Sequence, residues 1–189
     1  CYKNKDCREA LLKVTIVPSG PALGVTQRME VEDTLYNKDY YLYNIDMALG
    51  GHIAEKLLFG ENNVTAGCSS DLSKATQIAR KMVNEGFYAK EIGYLFVEQS
   101  QSVKEEKLGD KFKQVVNNKI DDILSTSHDR VLKLLENNSD ELVKLSRALF
   151  KYNTLDVNEI TLILENRENE ITRPIVRQDY DEKNAEEYS

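Results

Sequence analysis

The stretch that decides the fold is Gly67-Cys68-Ser69-Ser70-Asp71-Leu72-Ser73-Lys74-Ala75-Thr76, which joins two segments of helical apolar spacing. The first segment covers residues 38–60, and its apolar residues recur three or four positions apart, as on one face of a helix. The second is predicted to begin with Ser69 or Ser70 as its cap and to end near residue 86. On local grounds Asp71 is therefore a helix cap or a favourable charge in the first helical turn.

Small residues lie on the faces of both predicted helices. Gly50 and Gly51 interrupt the first helix, where each glycine costs about 1 kcal/mol relative to alanine. We therefore expect the glycines to let another backbone approach closely. The two helices are predicted to form a tightly packed pair.

The chain before residue 38 has the character of a β-sheet. Residues 11–17 are rich in β-branched side chains, the segment 18–21 contains two prolines, and residues 23–29 suggest a second, antiparallel strand. Gly24 within that strand indicates a bulge or a close backbone approach. A further strand is conceivable at 93–97.

The rest of the chain is predicted to be helical. A polar loop over 99–110 precedes a long helix over 111–136 and a fourth helix over 140–151. A short fifth helix is expected to start at Thr154-Leu155-Asp156. The predicted fold is mainly α with a small N-terminal β-hairpin or sheet, formed by a domain over 1–166 and followed by a charged, disordered tail over 167–189.

Composition narrows the class of protein. The net charge of −7 and the lack of a dense basic stripe argue against a nucleic-acid surface. No apolar run is long enough to cross a bilayer, so we predict a soluble domain. Three cysteines without a C-x-x-C pair indicate neither a zinc cluster nor a disulfide framework.

Motifs with self-contained chemistry are missing from the sequence. The two histidines, His52 and His128, belong to no H-E-x-x-H pair, and each is interpreted as a packed or solvated helical residue. No G-x-S-x-G, P-loop or G-x-G-x-x-G is present, and Cys68 has no identifiable histidine partner. Composition and spacing alone predict only an acidic, helical domain.

Four segments of the sequence carry a family pattern. They are residues 14–24, a strand-turn-strand; residues 50–60, Gly-Gly-His-Ile-Ala-Glu-Lys-Leu-Leu-Phe-Gly, with the pattern G-G-x-x-A-E; residues 65–76, with the pattern T-x-G-(A/C)-x-x-D; and residues 154–160. In this order and spacing they resemble the peptidase domain of FtsH-type AAA proteases, in which the strand-turn-strand follows the zinc motif. The resemblance spans about residues 12–165.

The resemblance implies a zinc endopeptidase. In the family, two histidines of an H-E-A-G-H helix and the aspartate matching Asp71 hold zinc, and the glutamate of that helix activates the zinc-bound water. Glu55 is either close to the metal or a polar group that supports the site or the structure. The resemblance also implies a hexameric ring that uses ATP, bound by an AAA module outside this sequence, to degrade misfolded or unassembled membrane proteins.

One departure from the family limits the expected chemistry. The family's H-E-A-G-H helix precedes the strand around Val14, and residues 1–13 contain no histidine. We expect that the sequence starts just after that motif; the alternative is a pseudo-peptidase that lost it and serves as a ring-assembly scaffold. In both cases this chain supplies one zinc ligand, Asp71, no catalytic residue and no cofactor-binding residue, and should be inactive alone.

The resemblance also implies where the parent protein works. The family acts at energy-transducing membranes, so a mitochondrial, plastid or bacterial inner membrane is expected, with membrane attachment through segments absent from this chain. Polypeptide substrates and a homo- or hetero-hexamer are the expected partners, and nucleic acid is not.

Overall fold

The computed structural model describes residues 10–20, 24–29, 36–63, 65, 67, 69–93 and 110–176. The chain divides into two compact units, one formed by residues 33–137 and the other by residues 1–32 together with 138–189. Within the described residues six α-helices and one three-stranded sheet are present, which confirms the prediction of a mainly helical fold with a small sheet near the N-terminus.

The described part of the unit of residues 33–137 is helical. Its elements are α1 (Lys38–Phe59), a 3-10 turn (Glu61–Asn63), α2 (Ser69–Asn84), α3 (Ala89–Ile92) and α4 (Asp110–Glu136). The side chain of Asn37 caps α1 by accepting a hydrogen bond of 3.0 Å from the Tyr40 amide. The short helix α3 was not predicted; four residues are too few to show a periodic pattern.

The core of this unit lies where α1, α2 and α4 pack together. The helices bury large side chains on α1 and α4 against small ones on α2, where Ala75 and Ala79 are fully buried. Burial of each large aliphatic side chain contributes about 1.5–3 kcal/mol. The buried residues of this core are Tyr41, Ile45, Ala48, Leu49, Ile53, Ala75, Ala79, Met82, Val83, Tyr88, Ile120, Ile123 and Val131.

The predicted use of the glycines in α1 is wrong within the described residues. A Cβ built on Gly50 or Gly51 would meet no heavy atom within 4 Å. The small residues that are fully buried in the core with α1 and α4 are instead Ala75 and Ala79 of α2.

The other unit contains the sheet. It comprises β1 (Ala10–Thr15), β2 (Val25–Met29), α5 (Ser139–Tyr152), β3 (Thr154–Asp156), α6 (Val157–Leu164) and a 3-10 turn (Glu168–Glu170). The strand order is β2-β1-β3, and both pairings are antiparallel. The predicted hairpin of two strands is confirmed. So is the close approach at Gly24, where a Cβ would lie 2.8 Å from the Thr15 carbonyl oxygen.

The prediction that Thr154–Asp156 starts a helix is wrong. These residues form β3, in which Leu155 is fully buried and pairs with Val14 of β1. The helix begins one residue later, and Asp156 is its N-cap: its side chain accepts from the Glu159 amide while the Glu159 side chain accepts from the Asp156 amide. The prediction failed because β3 has only three residues and directly precedes the capping box of α6, so its sequence resembles the start of a helix.

Other predictions fall partly outside the described residues. For the polar loop predicted over 99–110, only Asp110 is described, and it begins α4. For the conceivable strand at 93–97, only Gly93 is described, and it ends α3. For the predicted tail over 167–189, residues 167–176 are described. Their contacts include a hydrogen bond of 2.9 Å from the Val176 amide to the Lys151 carbonyl oxygen.

Candidate functional site

The candidate site lies where the C-terminal turn of α1, the following loop and the first turn of α2 come together. Gly60 ends α1 with a positive φ of 81°, which an L side chain rarely adopts, and its amide donates to the Lys56 carbonyl oxygen. The Asn63 amide nitrogen Nδ2 donates 2.8 Å to the Phe59 carbonyl oxygen. These contacts fix the direction in which the chain leaves α1.

Asp71 lies in the first turn of α2 and is exposed. Its carboxylate has no hydrogen bond or ion pair with the residues that the structure describes, and a first-turn carboxylate interacts favourably with the helix dipole. Ser69 and Ser70 both lie inside the helix, so the prediction that one of them is the cap is wrong. Cys68, the residue before the helix, lies outside the described residues.

Glu55 connects α1 to the loop in front of α2. Its Oε2 accepts a hydrogen bond of 3.0 Å from the Thr65 amide and one of 3.1 Å from the Thr65 hydroxyl. The Thr65 Oγ1 in turn accepts a hydrogen bond of 3.3 Å from the Gly67 amide. We call these three residues, Glu55, Thr65 and Gly67, the loop latch.

Glu55 is one of the residues predicted from the sequence, and Thr65 is not. The Thr65-x-Gly67 pattern could have indicated Thr65, because a threonine two residues before a glycine often accepts the glycine's amide in a turn. That Glu55 provides the acceptor for Thr65 could not be predicted, because the two residues are ten positions apart in different local structures.

An ion pair lies at the same end of α1 as the loop latch. Lys56 Nζ lies 2.6 Å from Glu61 Oε1. The Lys56 hydrogen bond and its positive charge lower the pKa of Glu61 below its usual value. The pair is exposed, so it supports the turn after α1 only weakly.

The histidines do not complete a metal site with Asp71. His52 lies half-buried on α1, and His128 lies on α4 with its Nδ1 3.3 Å from Asp129 Oδ1. Across the described part of the chain, no group of three His, Cys, Asp or Glu side chains is placed to hold a metal ion.

Comparison with known proteins identifies the class. A family model, peptidase family M41, matches residues 3–163. The match extends into both units and includes the loop latch and Asp71. The class is thus a peptidase, and the chain belongs to peptidase family M41.

Individual relatives agree with the family. The chain is 35% identical over 151 residues to the mitochondrial inner membrane i-AAA protease supercomplex subunit YME1 of Saccharomyces cerevisiae, covering 79% of this chain and 20% of that protein. It is 37% identical over 156 residues to the ATP-dependent zinc metalloprotease YME1L of Drosophila melanogaster, covering 82% and 21%.

A bacterial relative shows the same partial coverage. The ATP-dependent zinc metalloprotease FtsH of Buchnera aphidicola subsp. Baizongia pistaciae is 30% identical over 164 residues, covering 82% of this chain and 27% of that protein. The chain therefore spans about a fifth to a quarter of the length of these relatives. Among the residues described, no helix has the length and apolar character needed to cross a membrane.

Proposed function

We propose that this chain forms most of the peptidase domain of an ATP-dependent zinc metalloendopeptidase, and that Asp71 is one of its zinc ligands. The observation that carries the proposal is the placement of Asp71. It is an exposed carboxylate without a partner among the described residues, at the start of a helix inside the family match.

Zinc would supply a Lewis acid and an activated water when bound. This chain would contribute one oxygen ligand, the Asp71 carboxylate, held at the start of α2. The remaining ligands and the general base would come from outside these 189 residues, because the sequence contains no H-E-x-x-H. The names of two relatives, both ATP-dependent zinc metalloproteases, support zinc and ATP for the intact protein.

The names of the same relatives support a proposal about the assembly and the location of the intact protein. We propose that the intact protein is an oligomer, with a hexamer as the expected state, that degrades polypeptides at an energy-transducing membrane. The supporting names are a mitochondrial inner membrane protease subunit and a bacterial FtsH. We also propose that residues 1–166 form the peptidase domain and that residues 167–189 form a C-terminal tail.

Substitution of Asp71 by asparagine in the intact protease tests this function. Asp71→Asn keeps the size of the side chain and removes the charge that zinc requires. We expect zinc content and casein hydrolysis to fall at least tenfold, because one of three protein ligands is impaired. Wild-type zinc content and hydrolysis in this variant would contradict the proposal.

Asp110→Asn is the matched control. Asp110 is also an exposed carboxylate in the first turn of a helix, α4, so its substitution removes the same dipole interaction. We expect it to leave zinc content and hydrolysis unchanged. An equal loss in both variants would show that helix stability, rather than metal binding, causes the effect.

A further inference from the structure

We propose that the described part of the C-terminal tail, residues 167–176, is a strap that covers the free edge of β3 and locks this strand onto β1. We call these residues the C-terminal strap. The family match ends at residue 163, so the strap lies outside it. The inference goes beyond the proposed function and does not depend on zinc. It concerns only the unit that contains the sheet.

The strap runs along the junction between α5 and β3. Near its start, Glu168 Oε1 lies 3.0 Å from Lys151 Nζ, and at its end the Val176 amide donates a hydrogen bond of 2.9 Å to the Lys151 carbonyl oxygen. Between these two points, the half-buried Ile171 packs against the core of the unit. Both ends of the strap therefore bind the last turn of α5, and its middle contacts the core.

Arg173 is the centre of the strap and binds two groups with one nitrogen atom. Its Nη2 donates to the Thr154 carbonyl oxygen and, at 2.9 Å, to Glu159 Oε2. Because Nη2 carries two hydrogens, both bonds form at the same time. The guanidinium carbon lies 5.0 Å from the centre of the Tyr152 ring, within the range of a cation–π interaction. One side chain thus connects the end of α5, β3 and the first turn of α6.

The Thr154 carbonyl group faces the free edge of the sheet. Among the described strands β3 is an outer one, since the order is β2-β1-β3. The amide of Ile16, the residue after β1, donates 2.9 Å to the Asn153 carbonyl oxygen, so the Asn153 carbonyl points towards β1. Successive carbonyl groups along a strand point to opposite sides, and the Thr154 carbonyl therefore points away from β1. Arg173 binds this carbonyl where a further strand would otherwise pair.

The pairing of β3 with β1 is short. The three residues of β3 pair with the segment Lys13–Thr15, and the hydroxyl oxygens of Thr15 and Thr154 lie 2.8 Å apart. Small sheets need additional packing for stability. The strap supplies contacts on the opposite edge, so β3 is held from both sides.

A strap that only held itself to the surface would have different consequences. Its loss would free its own amides, such as that of Val176, and leave the pairing of β1 with β3 unchanged. A strap that locks β3 must open before β3 can leave β1, so weakening the strap also makes β3 open more often. The amides of Val176 and Ile16 report the two openings, because the first is bonded to Lys151 and the second to Asn153.

The experiment is amide hydrogen exchange on the 189-residue chain, measured residue by residue by NMR. In the wild type we expect the Val176 amide to exchange faster than the Ile16 amide. In Arg173→Ala we expect both rates to rise about tenfold and by the same factor, because both openings lose the same contacts. Arg173→Lys should show a smaller rise, because it keeps the charge but not the planar set of donors.

Arg167→Ala is the matched control. Arg167 is also an arginine of the strap, and its guanidinium binds Glu165 and Glu170, which lie outside β3. We expect wild-type exchange at Ile16 in this variant. An equal rise at Ile16 in Arg167→Ala and Arg173→Ala would overturn the inference, because any weakening of the segment would then have the same effect.

The fully buried Ile53 of α1, in the other unit, is the internal reference. Its exchange rate should stay at the wild-type value in each variant. A rise at Ile53 equal to that at Ile16 would show unfolding of the whole chain instead of release of β3, and would overturn the inference.

Two further results would overturn the inference. Faster exchange at Val176 beside wild-type exchange at Ile16 in Arg173→Ala would show that the strap holds only itself. Wild-type exchange at both amides would show that Arg173 does not hold the strap. The measurement uses no metal and no substrate, so its outcome is independent of whether Asp71 binds zinc.

Discussion

Arg130 on α4 binds Asp46 on α1 through two parallel hydrogen bonds, from Nε at 2.7 Å and from Nη2 at 2.6 Å. The same Nη2 lies 3.0 Å from the hydroxyl of Ser127, which is fully buried. Donation to Asp46 raises the pKa of Arg130 above its usual value. The two residues join the helix that leads to the latch with the longest helix of the unit.

The first prediction concerns this pair. Arg130→Ala should lower the free energy of unfolding by about 1–2 kcal/mol, because it removes a bidentate charged interaction beside a buried hydroxyl. The value is below that of a buried pair because 43% of the Arg130 side chain is exposed and screened by solvent. Arg130→Lys should recover only part of the loss, since the ammonium group of lysine cannot form two parallel hydrogen bonds to the Asp46 carboxylate. Chemical denaturation measures both.

Asp129→Asn serves as the control for the first prediction. Its side chain is 73% exposed and lies beside the neighbouring His128, with Oδ1 3.3 Å from Nδ1. We expect a change below about 0.5 kcal/mol. An equal effect of Arg130→Ala and Asp129→Asn would contradict a special role of the Arg130–Asp46 pair.

The second prediction compares two glycines. Gly51→Ala should raise stability by about 0.5–1 kcal/mol, because alanine favours the helix and the added Cβ meets nothing within 4 Å. Gly24→Ala should lower stability, because its Cβ would lie 2.8 Å from the Thr15 carbonyl oxygen. Thermal unfolding of the 189-residue chain measures the two changes. The same sign for both variants would refute the steric distinction.

The third prediction concerns Arg173 and Glu159. Arg173 Nη2 donates 2.9 Å to Glu159 Oε2, and its guanidinium lies 5.0 Å from the centre of the Tyr152 ring. Arg173→Ala should accelerate amide exchange at Val176, whose amide is bonded to Lys151. Glu159→Ala should lower the stability of α6 as well, because it removes the half of the capping box in which the Glu159 side chain accepts from the Asp156 amide.

A matched variant sharpens the third prediction. Arg167→Ala removes contacts with Glu165 and Glu170 in the same segment but none with Glu159. Unchanged exchange at Val176 in this variant is expected. If exchange at Val176 were the same in wild type and Arg173→Ala, the Arg173 contacts would not hold the segment.

The fourth prediction is a pH dependence. The pKa of Glu61 is lowered from 4.5 by the hydrogen bond and charge of Lys56. A lowered pKa in the folded state means that the pair stabilises the fold above the unfolded value and that this contribution is lost as pH falls through the folded value. NMR titration of the Glu61 carboxyl should give a midpoint below 4.5, and Lys56→Ala should return it towards 4.5. A midpoint unaffected by Lys56→Ala would contradict the pairing.

The long amphipathic helices could be predicted from sequence, and the reasons are visible in the core. Ile45, Leu49 and Ile53 recur at helical spacing, and all three are buried. β3 could not be predicted, because its strand character comes from pairing with β1, about 140 residues away in sequence, rather than from its own three residues. The same holds for the candidate site. Asp71 could be selected from a family motif in the sequence, whereas the Glu55–Thr65 contact is visible only in the folded structure.

Zinc-edge anomalous diffraction of the intact protease tests the central claim most directly. We expect one anomalous peak about 2.0–2.2 Å from a carboxylate oxygen of Asp71. Glu55 should remain bonded to Thr65 and contribute no ligand. A zinc peak coordinated without Asp71, or one in which Glu55 replaces it, would contradict the assignment of Asp71 as a zinc ligand.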